Sequence, residues 1–166
     1  MTIDRTWAYN PRDREFKSTR KLIRTLIEVA SRGGNFLLNV GPTPEGTIQP
    51  EFEERLRGLG RWLRANGAAI YGTTYGPVQG LDQVRTTAKP PFLYVHLFDP
   101  PPGPVELPWK PENLAAVGLG RNVAGARLLA TGAEVPFRLS GGRLRVEPPR
   151  PLPDRDATVI EVRTAA

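Results

Sequence analysis

The stretch Gly33-Gly-Asn-Phe-Leu-Leu-Asn-Val-Gly-Pro-Thr-Pro-Glu-Gly46 constrains this chain more than any other. Phe36 to Val40 is apolar except for Asn39; it follows a glycine pair and closes on Gly41-Pro42. That is the punctuation of a short, fully buried strand running into a turn. The spacing predicts the last strand of a parallel α/β unit. The loop after it, Gly41 to Pro50, then lies at the carboxyl end of a strand, where barrel enzymes build their sites.

The flanks agree. Ser18 offers an N-cap, and Leu22, Ile23, Leu26, Ile27 and Ala30 share one face, so residues 18–33 read as an amphipathic helix stopped by Gly33. Pro50 opens a second helix with Glu51, Glu53 and Glu54 in its first turn, where negative charge suits the helix dipole. Phe52, Leu56, Leu59 and Leu63 are its expected buried face, Trp62 flanks that face, and Gly67 ends it. One strand between two helices makes no sheet by itself. Residues 68–80, with Ile70, Tyr71 and Tyr75 among small residues, read as a packed crossing segment.

Beyond residue 80 the pattern changes. Short strand candidates fall at 92–98, 105–109, 114–119, 126–130, 135–139, 143–146 and 158–162, most separated by Gly, Pro or Asn, and Ser140-Gly141-Gly142 marks a hairpin turn. Regular short strands predict an antiparallel sandwich. The fold class is therefore α/β plus all-β, with an incomplete barrel portion over 1–80 and a β-sandwich over 81–166. The proline runs 100–104 and 148–153 read as connectors between strands rather than as PxxP ligands.

Residue types exclude much chemistry. There is no cysteine and one histidine, His96, which rules out disulfides and thiolate metal sites and argues against a histidine-built metal centre or a Ser-His-Asp triad. His96 lies inside the 92–98 strand and reads as a strand residue with a satisfied hydrogen bond. No metal and no cofactor is expected. The net charge of +6 comes from arginines scattered among acids at helical spacing, which is a solvated face and not a nucleic-acid stripe. The N-terminus lacks an apolar signal region and no long apolar run occurs, so no membrane contact is expected, and the chain as given reads as soluble, cytoplasmic if made as it stands.

Several of these segments together resemble a known family. Trp7-Ala8-Tyr9-Asn10, the helix 18–33, the stretch from Gly33 to Ile48, Arg55-Leu-x-x-Leu-Gly-x-Trp-Leu63 and Asn66-Gly-x-Ala-Ile-Tyr-Gly-Thr73 resemble the end of the catalytic domain of the retaining α-L-fucosidases, glycoside hydrolase family 29. Trp109, Gly118-Leu-Gly120, residues 128–132 and Leu152-Pro-Asp-x-Asp-Ala-Thr-Val-Ile160 resemble that family's C-terminal sandwich. The resemblance implies an incomplete (β/α)₈ barrel followed by a sandwich, and hydrolysis of α-L-fucosyl linkages in glycans by double displacement. It also implies that nucleophile and acid/base lie upstream of Trp7, so that this chain begins inside a barrel strand, carries no catalytic residue and is inactive alone.

One site residue follows from the resemblance. Trp7 stands where the family places an aromatic near the fucose methyl group, although Trp-Ala-Tyr here replaces the usual Trp-Gly-Tyr. Asn39 and the loop 41–46 would form the rim, with Asn39 read first as a partner for backbone groups at the strand end. Glu45, Glu51, Glu53 and Glu54 are the local acids; helix capping and turn preference explain them without a catalytic role. The expected partners are a fucosylated glycan, as part of a full enzyme, and either a missing N-terminal half or a second copy that covers exposed apolar surface. The alternative is a carbohydrate-binding or interaction module on 81–166, supported by Tyr94, His96 and Phe98 alternating onto one face of their strand.

Overall fold

Ser18 accepts a hydrogen bond from the Lys21 N–H at 3.2 Å and so opens helix α1 (Thr19–Ser31) in the computed structural model, which describes residues 1–166. The serine oxygen satisfies a first-turn donor that the helix cannot. Gly33 stops α1 at φ 74°, with the N–H groups of Gly33 and Gly34 returning to the carbonyls of Ala30 and Val29 at 3.0 and 2.9 Å. Helix α2 (Pro50–Asn66) starts on its proline and is capped by Gly67, as its sequence predicts.

The buried line of α2 differs from the expected one. Phe52, Gly58, Trp62 and Asn66 are buried, while Leu56 is exposed and Leu59 and Leu63 are half-buried. Two contacts rotate the helix this way. Gly58 meets α1 so closely that a Cβ there would lie 2.7 Å from the Thr19 side chain. Trp62, rather than flanking the face, inserts between α1 and the sheet and donates its indole N–H to the Ala157 carbonyl at 2.9 Å. A large ring with one donor gains most from a seat that offers both packing and an acceptor.

Phe36 to Val40 runs extended but is not a fully buried strand. It is joined to the N-terminus by one parallel bridge, Thr2 to Asn39, with Asn39 N–H donating to Met1 O at 2.8 Å and the N-terminal ammonium to Leu37 O at 2.9 Å. Leu38 and Val40 turn inward onto a small cluster of Ile3, Leu22 and Phe52, whereas Leu37 is 66% exposed. An apolar run becomes a buried strand only when strands flank both of its edges, and here only residues 1–3 lie alongside.

The rest is an antiparallel sandwich. One sheet has the order β1 (Thr74–Tyr75), β2 (Val84–Lys89), β3 (Phe92–Leu97), β8 (Thr158–Ala165), β5 (Asn122–Leu128); the other has β4 (Val105–Pro108), β7 (Arg143–Val146), β6 (Phe137–Ser140). Gly141 and Gly142, at φ 56° and 69°, make the β6–β7 hairpin turn that Ser140-Gly141-Gly142 predicts. Residues 114–119, expected as a strand, belong instead to helix α3 (Pro111–Ala116) and the turn after it. Pro111 starts this helix, and Leu114 and Val117, three apart, enter the core together.

Burial makes three layers. Leu93, Val95, Leu97, Ile160 and Val162 face Leu107, Leu144 and Val146 of the smaller sheet. The opposite face of β3 and β8, with Tyr94, Phe98 and Val159, packs under Ile23, Ile27 and Trp62 of the helices. The helices are clamped there by polar contacts as well. Arg24 stacks on Phe98 at 5.1 Å and donates to Asp99 at 2.6 Å and to the Asp156 carbonyl at 2.8 Å; the bond from Arg24 holds the Asp99 carboxyl below its ordinary range. Residues 74–78 already take part in the sandwich, since β1 pairs with β2 and Val78 joins its core. No helix is long and apolar enough to cross a membrane.

Candidate functional site

Trp7 lies on a loop whose backbone is held from both sides. The Asp4 side chain is buried and caps the turn, accepting the Thr6 N–H at 3.3 Å, while the Asp4 carbonyl accepts from the Lys17 ammonium and the Thr2 hydroxyl, each at 2.6 Å. On the far side the Asn39 amide donates to the Trp7 carbonyl at 2.7 Å. Gly41 completes the contact: a Cβ there would lie 2.6 Å from the Tyr9 nitrogen and 2.8 Å from the Ala8 carbonyl carbon. Only a glycine lets the two loops touch so closely. With its backbone fixed, the Trp7 indole stands 62% exposed.

Trp7, Asn39 and Gly41 are thus brought together, and Asn39 has the backbone-pairing role read from its sequence. The loop beyond is internally tied, with Thr43 N–H donating to Thr47 O at 2.8 Å and Gly46 N–H to Thr43 O at 2.9 Å. Two of the four local acids are engaged in ion pairs. Glu53 pairs with Arg57 and Glu54 with Arg55, and Glu45 sits exposed on the turn before Gly46. No group of three or more His, Cys, Asp or Glu side chains is placed to hold a metal ion. Asp4 is a site residue that the sequence does not single out. In Asp4-Arg5-Thr6-Trp7 the acid stands among polar residues, and nothing in its immediate sequence marks it as buried.

His96 contributes nothing to this loop. It is fully buried in β3, with Nε2 3.0 Å from the Thr87 hydroxyl and Nδ1 unpaired; burial pushes its pKa down to about 3. One ring nitrogen has the hydrogen bond that its strand position predicts.

Comparison with known proteins gives the same picture as the residues. The family model described as "Alpha-L-fucosidase" matches residues 1–68. The α-L-fucosidase of Branchiostoma floridae is 31% identical over 178 aligned positions, which cover 98% of this chain and 37% of the relative. Human plasma α-L-fucosidase is 47% identical over 76 positions, 44% of this chain and 16% of the relative. Among solved structures, α-L-fucosidase isoenzyme 1 from Paenibacillus thiaminolyticus superimposes with a TM-score of 0.87 at 35% identity, covering all of this chain and 39% of that one. The Thermotoga maritima α-fucosidase in complex with fucose gives 0.77 at 32% identity over 98% of this chain and 38% of that one. The chain therefore spans somewhat over a third of the length of the relatives that it matches throughout. Its helix, extended segment and helix followed by a sandwich are the end of an incomplete (β/α)₈ barrel with the domain behind it, and the chain belongs to the α-L-fucosidase family, glycoside hydrolase family 29.

Proposed function

We propose that this chain acts as the C-terminal portion of a retaining α-L-fucosidase. In this reading residues 1–80 contribute to the catalytic barrel, residues 81–166 form the supporting sandwich, and Trp7 is one wall of the fucose site. The observation that carries it is the likeness of the whole chain to the Paenibacillus enzyme, at 35% identity across 39% of that protein. Retention needs two carboxyl groups about 5 Å apart on either side of the scissile bond; in this reading both come from residues outside this chain. The Trp7 indole, exposed on a fixed backbone, supports its assignment as an apolar wall. Burying one sugar methyl against it is worth about 1 kcal/mol.

The chain alone should therefore not hydrolyse an aryl α-L-fucoside. Turnover by the purified chain that survives Trp7→Ala but disappears on replacing Glu45, Glu51, Glu53 or Glu54 would overturn the proposal.

The same reading requires a partner for the open edge of residues 36–40, either an N-terminal catalytic half or a second copy. Leu37, exposed at 66% in an apolar segment that carries a single β-bridge, is the feature that favours it. Size-exclusion chromatography of the chain alone should show concentration-dependent association that Leu37→Lys weakens. A clean monomer at all concentrations would refute it.

A binding module remains the second reading, on altered grounds. The face bearing Tyr94, His96 and Phe98 lies beneath α1 and α2, so no glycan can reach it there. Any such site has to use a part of the sheet that the helices leave open.

A further inference from the structure

We propose that the uncovered end of the five-stranded sheet is a binding trough for a neutral oligosaccharide. This goes beyond the fucosidase reading and does not depend on it.

The cross-strand register builds the trough. Phe92 of β3, Arg163 of β8 and Gly125 of β5 are direct neighbours in one row, and Tyr94, Glu161 and Arg127 in the next. All point to the face that the helices cover elsewhere. At Gly125 a β-bulge interrupts the pairing and there is no side chain; a Cβ there would meet nothing within 4 Å. The result is a cavity of about 760 Å³ over Gly125, whose lining includes Phe92 and Phe137, the latter 39% exposed. That volume falls within the ~300–1,000 Å³ of small-molecule sites.

The polar groups point to the class of ligand. Two arginines and two glutamates line the trough, so its charge sums to zero in a chain of net +6. Arg127 and Glu161 hold one another at 2.7 Å, and Glu161 is nearly buried, which fixes the pair as a rigid floor. Arg163 and Glu134 have no such partner in the chain and present planar donor and acceptor groups toward the cavity. A balanced set of donors and acceptors together with two aromatic rings in one lining suits a molecule with apolar C–H faces and hydroxyl edges, which is a sugar. Nucleic acid or another polyanion would instead call for a basic stripe.

Titration of the full ¹⁵N-labelled chain with lactose and with 2′-fucosyllactose, followed by NMR, tests this. Saturable shifts are expected at residues 125–127, 161–163 and 137, with dissociation constants in the millimolar range for either sugar. Gly125→Val places a side chain in open space on a strand and should abolish the shifts without lowering the melting temperature. Phe137→Ala should weaken binding about tenfold or more. Absence of saturable shifts with both sugars overturns the trough, as do shifts that persist in Gly125→Val. Shifts produced by inorganic phosphate but not by sugar would make it an anion site and also overturn it. A response confined to the Trp7 indole and specific to 2′-fucosyllactose would support the fucose wall while refuting the trough, so the two ideas fail separately.

Discussion

Lowering the pH from 6.5 toward 3 is expected to remove on the order of 4 kcal/mol of stability through one side chain, His96. The Thr87 hydroxyl has a single proton and gives it to the Ala69 carbonyl at 2.7 Å, so in the His96–Thr87 contact the imidazole Nε2–H is the donor. Nδ1 then carries the lone pair, and it is buried without a partner. A proton added there would create a charge with no acceptor or carboxylate beside it, which is why burial lowers the pKa from 6.5 to about 3. In the unfolded chain the imidazole takes up its proton near 6.5; in the folded chain it does not until about 3. Between those values the unfolded state binds more protons, so stability is full above pH 6.5, falls as the pH drops and levels off near 3.

Urea unfolding at pH 7 and pH 5 should show a loss of about 2 kcal/mol that His96→Gln removes, since Gln does not titrate. Equal stability of the parent chain at the two pH values would refute the assignment. Asp99, whose pKa is lowered by the bond from Arg24, also loses stabilising charge on acidification, but only below the ordinary carboxylate value of 3.8. The window from pH 6.5 to 5 thus isolates the histidine.

Gly76→Ala should destabilise the chain by about 3 kcal/mol or more. A Cβ at this buried position would lie 1.9 Å from the Thr86 carbonyl oxygen and 2.1 Å from the Thr86 hydroxyl, distances that no rotamer change relieves because the obstacle is backbone. The glycine cannot simply move away. Its N–H donates to Ser31 O at the end of α1 at 3.0 Å, its carbonyl accepts from the Gln79 amide at 2.8 Å, and the Thr86 hydroxyl is committed to Val78 O at 2.9 Å. Helix α1, the crossing segment and β2 are joined at this point, so a shift there breaks several bonds together. Gly125→Ala is the matched control, with nothing within 4 Å of its Cβ, and should change stability by less than about 0.5 kcal/mol. A urea midpoint for Gly76→Ala close to that control would show that the crossing segment yields.

What could be read from the residues was local. The ends of α1 and α2 follow from Ser18, Gly33, Pro50 and Gly67, each of which acts within one helical turn. The β6–β7 turn follows from two adjacent glycines. Strand β2 is hard to read because both faces of Val84-Arg-Thr-Thr-Ala-Lys89 are buried yet carry small and polar residues, with Thr86 and Thr87, on opposite faces, satisfied by Val78 and Ala69 rather than by water. Residues 114–119 form helix and turn rather than the expected strand because a short apolar run fits either period, and the deciding neighbours, the core positions beside Leu114 and Val117, come from other strands. For the candidate site, Trp7 and Asn39 were visible in sequence, but Asp4 beneath the loop was not, since an acid among polar residues gives no sign of being buried.

By itself the sequence determined the family, the two helices, the sandwich class and the exclusion of thiolate chemistry, because these depend on residue types and on spacing over a few positions. Tertiary structure alone decided which faces close. Trp62 and Ala157 stand 95 residues apart, yet their bond helps to seat α2 on one part of the sheet, while the Gly125 end stays open. It also decided that Phe36 to Val40, apolar enough for a buried strand, carries one bridge and an exposed leucine, since a strand is completed by the neighbours that pair with it.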